Sequence, residues 1–427
     1  MADLHIEGGR RIEGRVTVEG SKNAALPLIA ACLLSEDWCE LDNVPRIRDV
    51  EVMCKLLESL GADVEGVGTP TLRIRAPKLS SSQPSPELVG KLRGSVLLLG
   101  PILGRMGKAT IAPPGGDFPA RRTISTHVQA LVEMGARVVD APGHAVEAPD
   151  GLKASSFYLL EASVTGTETA LLAAACAQGP VEMRHVATEP HVVEVCRFLE
   201  GMGVKIDGIG TSTLRLEPPK KLRGTKHRLS GDYLEAGSWG VCAAVTGGEL
   251  EVTGARFGDM EPMAVVLRQM GMEFDLEDDR FHVKRSKLVC TPRITTGLWP
   301  SFPSDYVSLV SVLATQAEGK TLIHDWMYEL RLFALEQLSS MRANLFLCDP
   351  HRIIVTGPTK LKGRTLDSRD IRSGMALIAA ALCADGKSII TPVEIVERGY
   401  ASVVDKLQSL GAQVERVSGG RRATDEK

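Results

Sequence analysis

Leu60-Gly61-Ala62-Asp63-Val64 is the phrase on which the reading of this chain turns. A bulky apolar residue is followed by Gly, a small residue and an alternating strand. The phrase returns as Met134-Gly135-Ala136-Arg137-Val138, Met202-Gly203-Val204-Lys205-Ile206 and Met270-Gly271-Met272-Glu273-Phe274. It returns again as Met341-Arg342-Ala343-Asn344-Leu345 and Leu410-Gly411-Ala412-Gln413-Val414. The starts are separated by 74, 68, 68, 71 and 69 residues. A second phrase lies upstream of most copies: an Ala/Leu-rich helix, a Gly, then a strand. Examples are Gly247-Gly248-Glu249-Leu250, Ala317-Glu318-Gly319-Lys320-Thr321-Leu322 and Ala384-Asp385-Gly386-Lys387-Ser388-Ile389. Gly at such a point supplies the left-handed residue of a helix C-cap. Each unit therefore reads β-α-β-α-β-β, and internal periodicity of this kind marks a repeated architecture.

The first helix of each unit is apolar on all sides, as in Leu171-Leu172-Ala173-Ala174-Ala175 and Leu377-Ile378-Ala379-Ala380-Ala381-Leu382. Such a helix is buried. Helices inside, with sheets outside showing one wet face, satisfy this pattern. A chain of 427 residues supports two cores, so the expectation is an α/β protein of two domains.

Fifty Lys and Arg against 53 Asp and Glu give a net charge of −3, and aromatics are 4%. Neither a basic face nor base-stacking platforms for nucleic acid are expected. The nine Cys lack any C-x-x-C pair and read as small buried hydrophobes in a reducing compartment. No metal or organic cofactor is expected, because no ligand cluster appears. The N-terminus has no signal-peptide pattern, and the apolar runs are too short to span a bilayer. A cytoplasmic protein with no membrane association and no evident obligate protein partner is expected.

Several stretches carry chemistry. Glu19-Gly20-Ser21-Lys22-Asn23-Ala24-Ala25-Leu26-Pro27 joins a strand, 14 to 19, to an apolar helix, 24 to 34. It sets Lys22 and Asn23 at a helix N-terminus, where free N–H groups favour anions. Gly20 lets the backbone approach a ligand closely. The P-loop spacing is absent. The loop Pro113 to Arg122 holds two Gly, three Pro, Asp117 and two Arg, and reads as a functional lid. Ser163-Val164-Thr165-Gly166 opens the third repeat's apolar helix as a further anion-friendly start, or as a plain cap. Asp305 ends an aromatic, proline-flanked turn suited to N-capping, and Asp370 reads as a cap, an ion-pair partner or a member of the acid–base set.

The run Gly20 to Pro27, the six repeats and Pro114-Gly115-Gly116-Asp117 together resemble the enolpyruvyl transferases, from about Ile6 to Val417. The resemblance implies a two-domain inside-out α/β barrel with three repeats in each domain. It implies boundaries of 22–230 and 1–21 plus 231–427, with the active site in the cleft between. It also implies phosphoenolpyruvate and, on the branch that starts peptidoglycan synthesis, UDP-N-acetylglucosamine as substrates. Lys22, Asn23, Arg122, Arg331, Arg372 and Arg398 match residues that contact phosphoenolpyruvate. Arg93, Arg122, Ser163, Val164, Thr165, Gly166, Asp305 and Met327 match the nucleotide-sugar side. Lys22, Asp117 and Asp305 match the catalytic set, Asp305 as the base for the sugar hydroxyl. Asp117 stands where the family usually has the Cys that donates a proton and is alkylated by fosfomycin. A carboxyl can donate a proton if its pKa is raised, but it is a poor target for a thiol-directed epoxide.

The chain departs from the family at Leu330 for Asn, Ser125 for Asp, Gly231 for Pro, Arg342 for Gly, His191 for an acid and Ser304 for Thr. Most departures fall on the nucleotide-sugar side. Two rival readings stay open: the same chemistry on another acceptor such as shikimate 3-phosphate, and an idle nucleotide-sugar-binding regulator.

Overall fold

The computed structural model describes residues 2–115, 123–139, 143–278, 280–328 and 331–418. The loop residues Asp117 and Arg122 lie outside them, as does Leu330.

The repeat phrase folds as its glycines require. Gly61, Gly135, Gly203, Gly271 and Gly411 all hold positive φ, between 76° and 104°. Each ends a helix and turns the chain into the next strand. In the fifth copy Arg342 occupies the same left-handed position at φ 74°, a conformation that costs a side-chain-bearing residue about 1 kcal/mol. Of the second phrase, Gly247 is a left-handed helix C-cap. Gly319 and Gly386 also hold positive φ, but they stand at the strand entry, two residues past their helix caps.

The third repeat shows the module whole. Strand Ser155–Tyr158 leads to helix Val164–Ala174, strand Val181–Arg184, helix Pro190–Gly201 and strands Lys205–Asp207 and Thr213–Glu217. Val181–Arg184 lies parallel to the first strand and antiparallel to the last. The same arrangement recurs in four further sheets of four strands, and a sixth sheet has three described strands.

The chain divides into two compact units, Gly20–Ser230 and the remainder on either side of it. In the unit Gly20–Ser230 the apolar helices are α1 (Lys22–Ala31), α2 (Leu99–Met106) and α3 (Val164–Ala174). Packing joins α2 to α3, and both α1 and α3 to the 3-10 turn Arg93–Leu98 that runs into α2. In the other unit α4 (Tyr233–Thr246), α5 (Val307–Gln316) and α6 (Ile371–Cys383) pack on one another. The second helix of a repeat, such as Arg48–Ser59 or Pro190–Gly201, buries one face only. The sheets alternate buried and wetter residues, as in the pattern of Leu250–Thr253.

Two strands depart from chain order. The strand β2 (Gly14–Thr17) precedes α1 in sequence yet pairs with Leu250–Thr253, after α4. The strand β3 (Lys226–Arg228) precedes α4 yet pairs with Cys39–Asp42, after α1. The terminal strand β1 (Ala2–Glu7) lies between Lys387–Thr391 and Gln413–Ser418. Between β2 and α1 sits Gly20, whose added Cβ would lie 1.8 Å from the Asn43 carbonyl oxygen. Its small size therefore serves a backbone approach within the protein. Gly231 has the same relation to the Gly254 carbonyl, also at 1.8 Å.

Five of the nine Cys are buried as expected, Cys176, Cys290 and Cys383 are half-buried, and Cys348 is exposed. Among the described residues no helix is long and apolar enough to cross a membrane, and no cluster of His, Cys, Asp and Glu could hold a metal.

Candidate functional site

Each of the six core helices has a polar residue at its start or in the short turn that leads into it. In the unit Gly20–Ser230 these starts carry Lys22, Arg93 and Ser163. In the other unit they carry Asp232, Asp305 and the pair Asp370 and Arg372.

Lys22 is the first residue of α1, two residues earlier than the sequence placed the helix start. Its ammonium Nζ is 2.6 Å from Asp49 Oδ2, and the two side chains are 14% and 2% exposed. Asp49 lies in the first turn of helix Arg48–Ser59. A pair this buried is well aimed rather than solvated, and removing one partner would leave a charge with little water. Asn23 follows, half-buried. Arg93 opens the turn into α2, and its Nη2 donates to the Thr123 carbonyl at 3.1 Å. Ser163 caps α3 by accepting from Gly166 N at 3.2 Å. Val164 and Thr165 begin that helix, half-buried, and the Thr165 hydroxyl is hydrogen bonded to His127 Nε2 at 2.9 Å. Burial, then the nearby Arg93 charge, lower the His127 pKa to about 4, so the ring is neutral near pH 7.

Deeper in α3, Glu168 is 1% exposed and its Oε1 has no hydrogen-bond partner among the described residues. Burial, reinforced by Glu189, pushes its carboxyl well above the usual range.

In the other unit the structure brings three of the expected residues together. Arg331 Nη1 donates to Asp305 Oδ1 at 2.9 Å, and Arg372 Nε donates to Oδ2 at 3.2 Å. Each carboxylate oxygen of Asp305 thus has its own arginine. The arginines are 13% and 11% exposed, and Asp305 is 31% exposed. Burial opposes both guanidinium charges. Asp305, Tyr328 and Asp325 nevertheless hold Arg331 above its ordinary pKa, and Tyr400, Asp305 and Asp232 do the same for Arg372. Asp305 is not an N-cap: it sits inside the 3-10 turn Ser304–Tyr306, whose cap is Pro303. Asp370 is the cap, accepting from Arg372 N and Ser373 N at 2.9 Å each. Arg398 follows the short helix Glu394–Glu397 and is half-buried.

Asp325 went unnoticed in sequence and organises this end of the unit. It is fully buried. Its Oδ1 accepts from Thr296 Oγ1 at 2.9 Å and from Met327 N at 3.2 Å, and its Oδ2 accepts from Ser304 Oγ at 2.6 Å. One carboxylate therefore fixes both the turn that presents Asp305 and the segment that presents Met327. Asp49 was missed in the same way, since Ile47-Arg48-Asp49 carries no motif. Asp117 and Arg122 cannot be placed in this geometry, being outside the described residues.

Two arginines on one half-exposed carboxylate, and a buried lysine at a helix start, are groups for anionic substrates and proton transfer. The chain matches the family described as EPSP synthase (3-phosphoshikimate 1-carboxyvinyltransferase) over residues 6–407. The chain belongs to the enolpyruvyl (carboxyvinyl) transferase family. It is 42% identical over 423 residues to a UDP-N-acetylglucosamine 1-carboxyvinyltransferase of Treponema denticola, covering 97% of this chain and 99% of the relative. Identity is 40% over 420 residues to the enzyme of that name from Bradyrhizobium diazoefficiens, covering 96% and 97%. The fold is similar to the enolpyruvyl transferase NikO from Streptomyces tendae, with TM-score 0.88 at 23% identity over 98% of this chain and 100% of that one. An EPSP synthase from Acinetobacter baumannii matches with TM-score 0.75 at 19% identity, over the same shares.

Proposed function

We propose that this chain moves the carboxyvinyl group of phosphoenolpyruvate to the 3-hydroxyl of UDP-N-acetylglucosamine and releases phosphate, the reaction that opens peptidoglycan synthesis. The observation that carries this reading is the match of 42% over 97% of the chain to a relative named for that reaction. The pairing of Asp305 with Arg331 and Arg372 supports it.

In the proposed reaction the sugar oxygen bonds to C2 of phosphoenolpyruvate while its proton passes to Asp305. The methylene carbon C3 gains a proton from Asp117 and becomes a methyl. Phosphate then leaves C2, and a methyl proton returns to the Asp117 carboxylate, which restores the double bond. Lys22, Asn23, Arg122, Arg331, Arg372 and Arg398 are assigned to the phosphoenolpyruvate carboxylate and phosphate, whose charges call for several converging cations. Arg93, Arg122, Ser163, Val164, Thr165, Gly166, Asp305 and Met327 are assigned to the nucleotide sugar. The three packed helices and three sheets of each unit support reading each as an inside-out barrel, and the chemistry fits the cytoplasm.

The test is phosphate release from phosphoenolpyruvate, with and without UDP-N-acetylglucosamine, on wild type and Asp117→Asn. Release that requires the sugar nucleotide and collapses in the variant supports both substrate and proton donor. Release that survives in the variant moves the donor elsewhere. Tight binding of the sugar nucleotide without release favours a regulatory protein, and release only with shikimate 3-phosphate reassigns the acceptor.

A further inference from the structure

Behind the Asp305 pair lies a line of buried hydroxyls whose polarity can be worked out atom by atom. Ser238 Oγ is 2.7 Å from the Leu234 carbonyl one turn earlier in α4. A carbonyl only accepts, so the Ser238 proton is committed there. Ser238 Oγ is also 2.9 Å from the Tyr400 hydroxyl. With the serine proton spent, Tyr400 is the donor in that bond. The tyrosine oxygen then has lone pairs left for Arg372 Nη1, which lies 3.3 Å away and only donates. Arg372 Nε donates to Asp305. The line therefore has one direction: Arg372 gives to Tyr400, Tyr400 to Ser238, and Ser238 to the backbone of α4.

We infer that Tyr400 and Ser238 are positioning residues that aim the Arg372 guanidinium at Asp305. This rests on the assignment of Asp305 as the base. The guanidinium is planar, so fixing Nη1 at Tyr400 and Nε at Asp305 fixes its rotation. The Asp370 cap holds the Arg372 backbone as well. Arg331 Nη1 holds the other carboxylate oxygen, so the plane of the Asp305 carboxylate depends on both arginines being held. Tyr400 and Ser238 are both fully buried among the helices of this unit. Packing alone would be served equally by Phe and Ala there, whereas the hydroxyls are joined end to end. Burial also raises the Tyr400 pKa, which keeps its proton in place for Ser238.

Tyr400→Phe and Ser238→Ala keep the volume or reduce it by one oxygen, and Ser238→Thr keeps the hydroxyl. In the phosphate-release assay Tyr400→Phe should lose roughly ten- to hundredfold in kcat with KM for both substrates nearly unchanged. Ser238→Ala should lose less, and Ser238→Thr should recover most of the wild-type rate. Independently of activity, nitrogen-15 NMR should show the Arg372 Nε–H, assigned by its loss in Arg372→Lys, exchanging with solvent roughly tenfold faster in Tyr400→Phe than in wild type. An unchanged kcat in Tyr400→Phe, with wild type active, overturns the inference. So does unchanged Nε–H exchange, whatever the rate. If wild type releases no phosphate with any acceptor, the functional assignment fails, and the exchange measurement alone decides whether Tyr400 holds Arg372.

Discussion

Lys22 and Asp49 form an ion pair of 2.6 Å between the first residue of one helix and the first turn of the next, with Asp49 only 2% exposed. Neither group can lose the other cheaply. Lys22→Met leaves a buried carboxylate, and the expected cost is about 3–5 kcal/mol by denaturant unfolding. Asp49→Asn keeps the lysine and should cost less stability. It frees the ammonium from its partner, and the affinity for phosphoenolpyruvate should change while the fold survives. Unfolding midpoints and KM measured on the same two proteins check both halves.

Asp305→Asn removes the proposed base while leaving two arginines on a neutral amide. Phosphate release should fall by at least about 10²-fold in kcat. Arg331→Lys loses the planar fork on Oδ1 and should reduce kcat as well, by a smaller factor. Steady-state kinetics on the two variants give the order.

Arg342 is the one member of its series without glycine, and its φ of 74° carries strain that the others avoid. Arg342→Gly should raise stability by roughly 0.5–1 kcal/mol, the left-handed cost relieved less the extra entropy of an unfolded glycine. Thermal melts of the two proteins are the check.

Glu168 supplies a pH signature. Its folded-state pKa is raised, by burial first and then Glu189, so the native state holds a proton that the unfolded chain releases above pH 4.5. Its contribution is therefore present at low pH and is lost as pH rises toward the folded pKa. Glu168→Gln should melt higher than wild type at pH 7.5, and the difference should shrink toward pH 4. Melts at the two pH values decide it.

The resemblance sets Asp117 where the family usually has the reactive thiol. Wild type should resist covalent labelling by fosfomycin, and Asp117→Cys should acquire it. Intact-protein mass spectrometry after incubation reads the adduct directly.

The architecture was legible because one local requirement, a left-handed residue between helix and strand, recurs and selects glycine at five of six positions. The helix starts were legible from local sequence: Lys22 and Ser163 stand where small and polar residues give way to an apolar helical run. What stayed hidden depends on partners far away in sequence. Asp49 and Asp325 carry no motif and gain meaning only through Lys22, Ser304 and Met327. The Ser238 hydroxyl and that of Tyr400 are 162 residues apart. Gly20 was legible as a close approach, but sequence could not say that the approaching group is the Asn43 carbonyl. The Asp305 turn looked like a cap because an acid after proline usually is one; here Asp370 caps and Asp305 faces two arginines.

The strand exchange at β2 and β3 has a consequence for how the chain is made. The unit Gly20–Ser230 contains every described strand of its own sheets, so it can close as soon as β3 leaves the ribosome. The strands β1 and β2 are synthesised well before their partners. Until residues 250–253 emerge β2 has no neighbour, and β1 waits for residues 387–418. The N-terminal segment is thus an unsatisfied edge for most of translation, the period in which unpaired strands are prone to wrong pairing.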